Sequence, residues 1–203
     1  MYDTVWFVIV GYLCGSVLFA RCLEKLSGKN GYLESSPDGN PGTYNAFRYG
    51  GKACGIATLC GDVLKGFLPV YGYLHLVPDG RETGLALVMA APLFGHIFPV
   101  FYRFHGGKGI AVTFGCLAGL MPEYRPLMIL AGVFLFFSVI VQISSNYHRT
   151  LITYLVSLIL FFVEVSSRQI RLGFLFITSA VVGKLLTSKE KKEPCKVKGI
   201  WKH

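Results

Sequence analysis

The sequence predicts an all-α integral membrane protein, a bundle of about seven transmembrane helices with a glycine-rich loop on the cytoplasmic side. Hydrophobic residues make up 53% of the 203-residue chain, the mean hydropathy is +0.52 and only 15% of the residues are charged. This composition is too apolar for an ordinary soluble domain, and the chain is long enough for several membrane spans. The apolar residues fall into segments at approximately 4–22, 53–77, 84–102, 109–121, 127–145, 150–163 and 170–187.

These apolar segments differ in length and are separated by recognisable turns. A helix that crosses a bilayer needs about 20 residues, so the segments at 109–121 and 150–163 are short for a span. Pro78-Asp79-Gly80 and Met121-Pro122-Glu123 lie between segments and are typical of loops. We therefore expect seven spans joined mostly by short connections.

The positively charged residues predict the orientation in the membrane. Six lysines follow the last apolar segment, at Lys189, Lys191, Lys192, Lys196, Lys198 and Lys202. Because lysine and arginine are enriched on the cytoplasmic side, we expect a basic cytoplasmic tail at 189–203 after a membrane domain at 1–188. An odd number of spans then places the N-terminus outside. Arg149 is one of the charges in the predicted inner loops.

The formal net charge of +9 bears on the class of partner. A basic chain can bind nucleic acid, but here the lysines and arginines lie mostly between and after the apolar segments. That distribution is typical of topology signals. We expect the lipid bilayer and anionic ligands as partners, and no nucleic acid.

A basic glycine-rich turn joins two apolar segments within residues 95–115. Gly106, Gly107 and Gly109 surround Lys108. Glycine readily adopts positive φ and exposes backbone N–H groups at the start of a helix, where the helix dipole also favours anions. A phosphate or a carboxylate would fit there. The same lysine would also serve as a plain topology signal, and these residues alone do not separate the two interpretations.

The longest polar interval, at 24–52, is rich in glycine, proline and asparagine. Loops longer than about 12–15 residues are usually functional or disordered, and the compact core at 39–45 favours a fixed backbone. We expect this core, Arg48, Lys108 and the Ser144-Ser145-Asn146 stretch to converge on the cytoplasmic face. Phosphate is the natural ligand for such a set of groups.

Three ionisable residues in apolar segments, Asp62, Lys65 and His96, bear on the site. Asp62 and Lys65 are three residues apart and share a helix face. Charges in the bilayer are costly unless they face the protein interior or each other, so we expect an internal ion pair, with a direct substrate role as the alternative. His96, near the middle of its segment, fits either a hydrogen-bonded core histidine or a catalytic group. We find no metal-ligand spacing and no obvious general base, and we expect no cofactor.

Four motifs together resemble one known family. They are Gly11–Ser16, Gly39–Arg48, Gly51–Val70, and Gly95–Phe101 followed by Gly106–Gly109. In this order and spacing they are similar to the bacterial acyl-phosphate-dependent glycerol-3-phosphate acyltransferases, the PlsY family. No single motif is specific, but four in register are.

The resemblance implies a small enzyme of the bacterial plasma membrane that transfers a fatty acyl group from acyl phosphate to glycerol 3-phosphate, which gives lysophosphatidic acid. It implies no acyl-CoA and no metal, and it leaves the oligomeric state open, although a monomer would suffice. The implied catalytic residues that hold the phosphates are Arg48, Lys108 and Ser144. The implied phosphate-binding loop residues are Gly39, Asn40, Gly42, Asn45, Gly107 and Gly109, and the implied supporting residues are His96, Asp62, Lys65 and Asp38.

The chain departs from this family pattern at two places. The family's G-S-G-N is here Pro37-Asp38-Gly39-Asn40, and the family's His and Asn near the C-terminal tail are absent from the region 178–184. A carboxylate at Asp38 would repel phosphate. The alternative function is therefore a catalytically impaired relative that binds a phosphate-bearing ligand, a lipid or an enzyme partner, or that uses a different acceptor. A small transporter is disfavoured because the two halves show no matching broken helices.

Overall fold

The computed structural model describes residues 2–26, 31, 33–36, 39–80, 82–188 and 197, and these residues are mainly helical. The α-helices are α1 (Tyr2–Ser16), α2 (Phe19–Leu26), α3 (Thr43–Asn45), α4 (Lys52–Leu76), α5 (Leu85–Ile97), α6 (Ile110–Ala118), α7 (Arg125–Leu135), α8 (Asn146–Glu164) and α9 (Arg168–Thr187). π-Helical turns at Ala46–Gly50 and Phe136–Ile140 extend α3 and α7, and a 3₁₀ turn at Val100–Tyr102 follows α5.

Each predicted apolar segment contains at least one of these helices, but not all of the helices are long enough to span a bilayer. Among the described residues, α4, α8, α9 and the stretch Leu85–Tyr102 are long and apolar enough. The pair α1 and α2, bent by 42°, would form a fifth span. Helix α6 has only 9 residues, and α7 with its π-helical turn covers Arg125–Ile140. The structure thus contains four to five candidate spans, and the count of seven stays a prediction.

Helix α5 lies at the centre of the bundle, and most of its residues are buried. It packs against α1, α4, α6 and α9. The contact with α1 is close because each helix places a glycine against the other's backbone. A methyl group at Gly15 would overlap the carbonyl oxygen of Pro92, and one at Gly95 would overlap that of Tyr12. These small residues let the two backbones approach, as is common between membrane helices.

The contact between α4 and α6 is also made close by glycines packed against the opposite backbone. A methyl group at Gly66 would overlap the carbonyl oxygen of Val112, and one at Gly115 would overlap that of Val63. The close approach places the start of α6 beside the middle of α4, where Asp62 lies. The interior face of α4 is thereby brought to the basic glycine-rich turn.

The described part of the polar interval between α2 and α4 has a fixed, hydrogen-bonded structure. The buried Glu24 carboxylate accepts a hydrogen bond from the Leu33 backbone N–H at 2.9 Å. The Asn45 side-chain amide donates to the Ser36 hydroxyl at 3.1 Å and to the Asn40 carbonyl at 2.9 Å. A small apolar cluster beneath the loop consists of Ala20, Leu33, Ala46 and Cys54.

Two predicted features lie outside the described residues. One is Asp38, and the other is the basic tail apart from Val197. Val197 forms an isolated antiparallel bridge with Ile143, directly before Ser144. The division into a membrane domain at 1–188 and a tail at 189–203 stays a prediction.

Candidate active site

A cavity of about 710 Å³ lies between the loop around α3 and the helices α4 to α8. It brings together Arg48, Lys108 and Ser144, the three residues predicted to hold phosphate. Its lining also includes the predicted residues Asn40, Gly42, Asn45, Gly109, Asp62 and His96. Gly39, Gly107 and Lys65 do not line the cavity but lie next to residues that do.

Arg48 belongs to the π-helical turn that follows α3, and its side chain is exposed. Its Nη1 donates a hydrogen bond to the Tyr44 hydroxyl at 2.8 Å, and the guanidinium carbon lies 5.9 Å from the centre of the Tyr49 ring. The hydrogen bond to Tyr44 raises the pKa of the Arg48 guanidinium above its ordinary value. Arg48 is therefore a permanent positive charge at the cavity, held between two tyrosines.

Lys108 lies in the glycine-rich turn, which is hydrogen-bonded to the end of α5. The Gly107 backbone N–H donates to the His96 carbonyl at 3.1 Å. A methyl group at Gly107 would overlap Nε2 of the His96 imidazole, so only glycine fits at this position of the turn. Gly109 has φ of +79°, the left-handed conformation that glycine tolerates best, and directly precedes α6.

Two helix N-termini meet at this cavity. Gly109 and Ile110 at the start of α6, and Ser145 and Asn146 at the start of α8, all line it. Neither N-cap residue makes a side-chain capping hydrogen bond. The first backbone N–H groups of a helix have no partner within the helix, and the helix dipole makes this end positive. Two such ends beside two cations form a site suited to anions.

Asp62, Lys65 and His96 form one buried cluster at the back of the cavity, and Asp62 and His96 line it. The Lys65 ammonium lies 2.8 Å from Asp62 Oδ1, donates to the Val17 carbonyl at 2.6 Å and lies 2.9 Å from His96 Nδ1. An ammonium group has donors only, so His96 Nδ1 must accept. The imidazole is then neutral and carries its proton on Nε2, which faces Gly107. The predicted ion pair between Asp62 and Lys65 is confirmed.

His96 lies in the last turn of α5, which ends at Ile97, while the candidate span continues past it to Tyr102. Phe98 precedes Pro99, and a residue before proline is biased away from the helical conformation. This early end of α5 is what places the imidazole beside the glycine-rich turn.

The structure adds polar residues to the cavity that the sequence did not single out as ligands. Tyr44, Arg149 and Thr150 all line it. Arg149, expected only as a topology charge, lies in the first turn of α8, three residues after Asn146. Its spacing of three residues from Asn146 was the available signal, because such spacing places two side chains on the same helix face.

One wall of the cavity is apolar. It is formed by Leu59, Ile110, Ala111, Phe114 and Phe134. The cavity thus joins a cationic region to an apolar surface. That combination suits a ligand with an anionic head and a hydrocarbon chain.

The fold and the cavity define an all-helical membrane protein with a pocket that joins cationic and apolar side chains. The family model described as glycerol-3-phosphate acyltransferase matches residues 5–193. The chain belongs to this family of integral membrane acyltransferases.

Similar bacterial proteins carry the same description. The chain is 45% identical over 118 residues to a glycerol-3-phosphate acyltransferase of Cupriavidus taiwanensis, which covers 57% of this chain and 58% of that protein. It is 43% identical over 130 residues to one of Klebsiella pneumoniae, which covers 63% of this chain and 60% of that protein. The matched stretch therefore spans about three fifths of the length of these relatives.

Two crystal structures of PlsY (YgiH), an integral membrane glycerol 3-phosphate acyltransferase, resemble this structure. The glycerol 3-phosphate form superposes with a TM-score of 0.78 at 25% sequence identity, over 89% of this chain and 87% of that chain. The lysophosphatidic acid form gives a TM-score of 0.75 at 26% identity over the same shares. The likeness extends across nearly the whole fold.

Proposed function

We propose that this protein transfers a fatty acyl group from acyl phosphate to glycerol 3-phosphate and forms lysophosphatidic acid. The observation that carries the proposal is the convergence of Arg48, Lys108 and Ser144 with two helix N-termini on one cavity that also has an apolar wall. The crystallised relatives contain glycerol 3-phosphate and lysophosphatidic acid, the acceptor and product of this reaction.

In the proposed reaction, Arg48, Lys108 and Ser144 bind the phosphate groups of the two substrates. The acceptor hydroxyl oxygen attacks the acyl carbonyl carbon, the bond from that carbon to the phosphate oxygen breaks, and phosphate leaves with the electron pair. The hydroxyl proton passes to a phosphate oxygen of a substrate, so no side chain has to act as general base. Catalysis then comes mainly from positioning and from stabilisation of negative charge.

The remaining predicted residues support this site in the proposal. Gly39, Asn40 and Gly42 shape the loop that faces the phosphates, and Asn45 holds that loop through its hydrogen bonds to Ser36 and Asn40. In the glycine-rich turn, the Gly107 N–H fixes the turn to the His96 carbonyl, and Gly109 leads into the first backbone N–H groups of α6, beside Lys108. Asp62 and Lys65 position His96, whose Nε2–H is a donor close to the cavity. The acyl chain lies along the apolar wall.

The proposal also includes the membrane arrangement. Seven spans, an N-terminus outside and a cytoplasmic tail are supported by the presence of a helix in each of the seven apolar segments. The bridge between Val197 and Ile143 supports a shared side for the tail and the cavity, since Ile143 directly precedes Ser144. The lysines of the tail favour the cytoplasm of a bacterial plasma membrane as this side, because lysine and arginine are enriched there.

The test is phosphate release from an acyl phosphate by the protein purified in detergent, with and without glycerol 3-phosphate. Release should depend on glycerol 3-phosphate and fall about 100- to 1,000-fold in Lys108→Ala, as expected for loss of a group that stabilises negative charge in the transition state. Lys52→Ala is the matched control, because Lys52 is exposed and does not line the cavity. Turnover in Lys108→Ala within a few-fold of wild type would refute the site assignment.

A catalytically impaired relative is the second candidate. Asp38 stands where the family pattern has serine, and the region 178–184 lacks the family's His and Asn. Asp38 lies outside the described residues, so its effect has to be measured. A silent wild type together with an active Asp38→Ser variant would establish the impaired relative, or one that uses a different acceptor, as the function.

A further inference from the structure

We infer that Arg149 is a third substrate-binding cation of this pocket and binds a phosphoryl group together with Arg48 and Lys108. The inference rests on the proposed function for the identity of the substrate. It assigns to Arg149 a role that the sequence pattern of the site does not contain.

The position of Arg149 is set by two neighbours that also line the cavity. Its Nη2 donates a hydrogen bond to Asn146 Oδ1, one turn earlier in α8. Its guanidinium carbon lies 6.0 Å from the centre of the Phe134 ring on α7. A guanidinium held by an amide oxygen on one side and an aromatic face on another loses little further freedom when a ligand binds.

The bonding of Arg149 is incomplete without an anion. Its Nε is buried and has no hydrogen-bond acceptor among the described residues. In the described part of the chain Asp62 pairs with Lys65 and lies near the neutral His96, and no described carboxylate neutralises Arg149. A buried donor without an acceptor is costly, and a phosphate oxygen would remove that cost.

The charge balance of the cavity points to the same ligand. Among the described residues, its lining contains the cations Arg48, Lys108 and Arg149 and one carboxylate, Asp62. Because the Lys65 ammonium lies 2.8 Å from that carboxylate, Asp62 has its own counter-charge. The cavity thus places three cationic side chains where two phosphate-bearing substrates would bind, which suits two phosphate groups better than two cationic side chains do. The planar guanidinium fork also suits phosphate, which it can bind with two parallel hydrogen bonds.

The experiment measures binding of glycerol 3-phosphate to the full chain in detergent by isothermal titration calorimetry. Arg149→Gln should weaken binding about 10- to 100-fold, as expected for a charge-assisted hydrogen bond to a charged group. Arg149→Lys should recover part of the loss, because it restores the charge without the fork. Phe134→Leu should change affinity less than Arg149→Gln does, because it keeps the guanidinium.

Arg171→Gln is the matched control. Arg171 is half-buried like Arg149, lies 5.7 Å from the Phe162 ring centre and does not line the cavity. Arg171→Gln loses the same charge and the same kind of ring contact away from the cavity, so its affinity for glycerol 3-phosphate should equal that of wild type. Thermal unfolding without ligand identifies variants that are unstable, and for these the comparison uses Arg149→Lys.

The outcomes separate this inference from the proposed function. Equal affinity in Arg149→Gln and Arg171→Gln would overturn the role of Arg149 while leaving the acyltransferase intact. If the wild type does not bind glycerol 3-phosphate, the proposed acceptor is wrong, and the same titrations with inorganic phosphate decide the role of Arg149. Arg149 is supported as a third cation if phosphate binds more weakly to Arg149→Gln than to wild type and Arg171→Gln. The role is refuted if Arg149→Gln binds phosphate as wild type does, or if wild type binds no phosphate.

Discussion

Replacing Lys65 by methionine tests whether the buried cluster behind the cavity is an ion pair that stabilises the fold. The side chains of Lys65 and Asp62 are each 3% exposed and lie 2.8 Å apart. Methionine has a similar length but no charge, so Lys65→Met would leave the Asp62 carboxylate buried without its counter-charge. Removal of one partner of a buried ion pair costs about 3–5 kcal/mol. For a chain of about 200 residues, where 1 kcal/mol shifts the melting temperature by about 2–4 °C, the expected fall is roughly 6–20 °C.

The measurement is thermal unfolding in detergent, followed by far-UV circular dichroism. Asp62→Asn in the Lys65→Met background removes the stranded charge, so the double variant should be more stable than Lys65→Met alone. Lys52→Met is the control, because an exposed lysine at the start of α4 should change stability by no more than about 0.5 kcal/mol. A melting temperature of Lys65→Met within about 2 °C of wild type would refute the reasoning, and so would a double variant whose loss is the sum of the two single losses.

Three further predictions concern the loops and one helix. Gly107→Ala should reduce acyl transfer at least 10-fold, because its methyl group would displace the His96 imidazole. Steady-state kinetics on protein of verified fold measures the effect, and unchanged kcat and KM would contradict it. Asn45→Ala should raise the KM for glycerol 3-phosphate more than it lowers kcat, because the loop loses the hydrogen bonds to Asn40 and Ser36 that set its shape. A fall in kcat alone would contradict a role of Asn45 in shaping the loop. Gly183→Ala should raise stability by about 0.5–1 kcal/mol, because its methyl group meets open space in α9 and alanine favours the helix; a lower melting temperature would contradict the packing there.

Much of the fold could be predicted from the order of apolar and polar segments. Each of the seven apolar segments contains a helix, since a run of apolar residues in a bilayer must satisfy its backbone hydrogen bonds internally. The number of spans could not be obtained in this way. Helix α6 ends at Ala118 after 9 residues, and α7 continues as a π-helical turn to Ile140, so hydropathy overestimates the length of regular helix.

The candidate site was predictable in part. Arg48, Lys108 and Ser144 were selected by their motifs, and the structure brings them to one cavity. Arg149 was assigned only to topology, because a lone arginine after an apolar segment has the same sequence pattern whether it faces the cytoplasm or a ligand. His96 was expected inside an apolar segment, and only the structure shows that α5 ends directly after it, at Ile97, two residues before Pro99.

The sequence by itself determined the class of protein, the positions of the helical segments and the basic and glycine-rich motifs, because these depend on local composition and on residues close in the chain. Only the tertiary structure decided which of those residues meet. The approach of α4 to α6 joins residues 46 or more positions apart, and Lys65 meets His96 from 31 positions away. The hydrogen bond from Gly107 to the His96 carbonyl spans 11 positions and brings the glycine-rich turn to the same place. Such contacts depend on shape and small side chains at helix crossings, and that information is spread over several helices instead of being contained in any one segment.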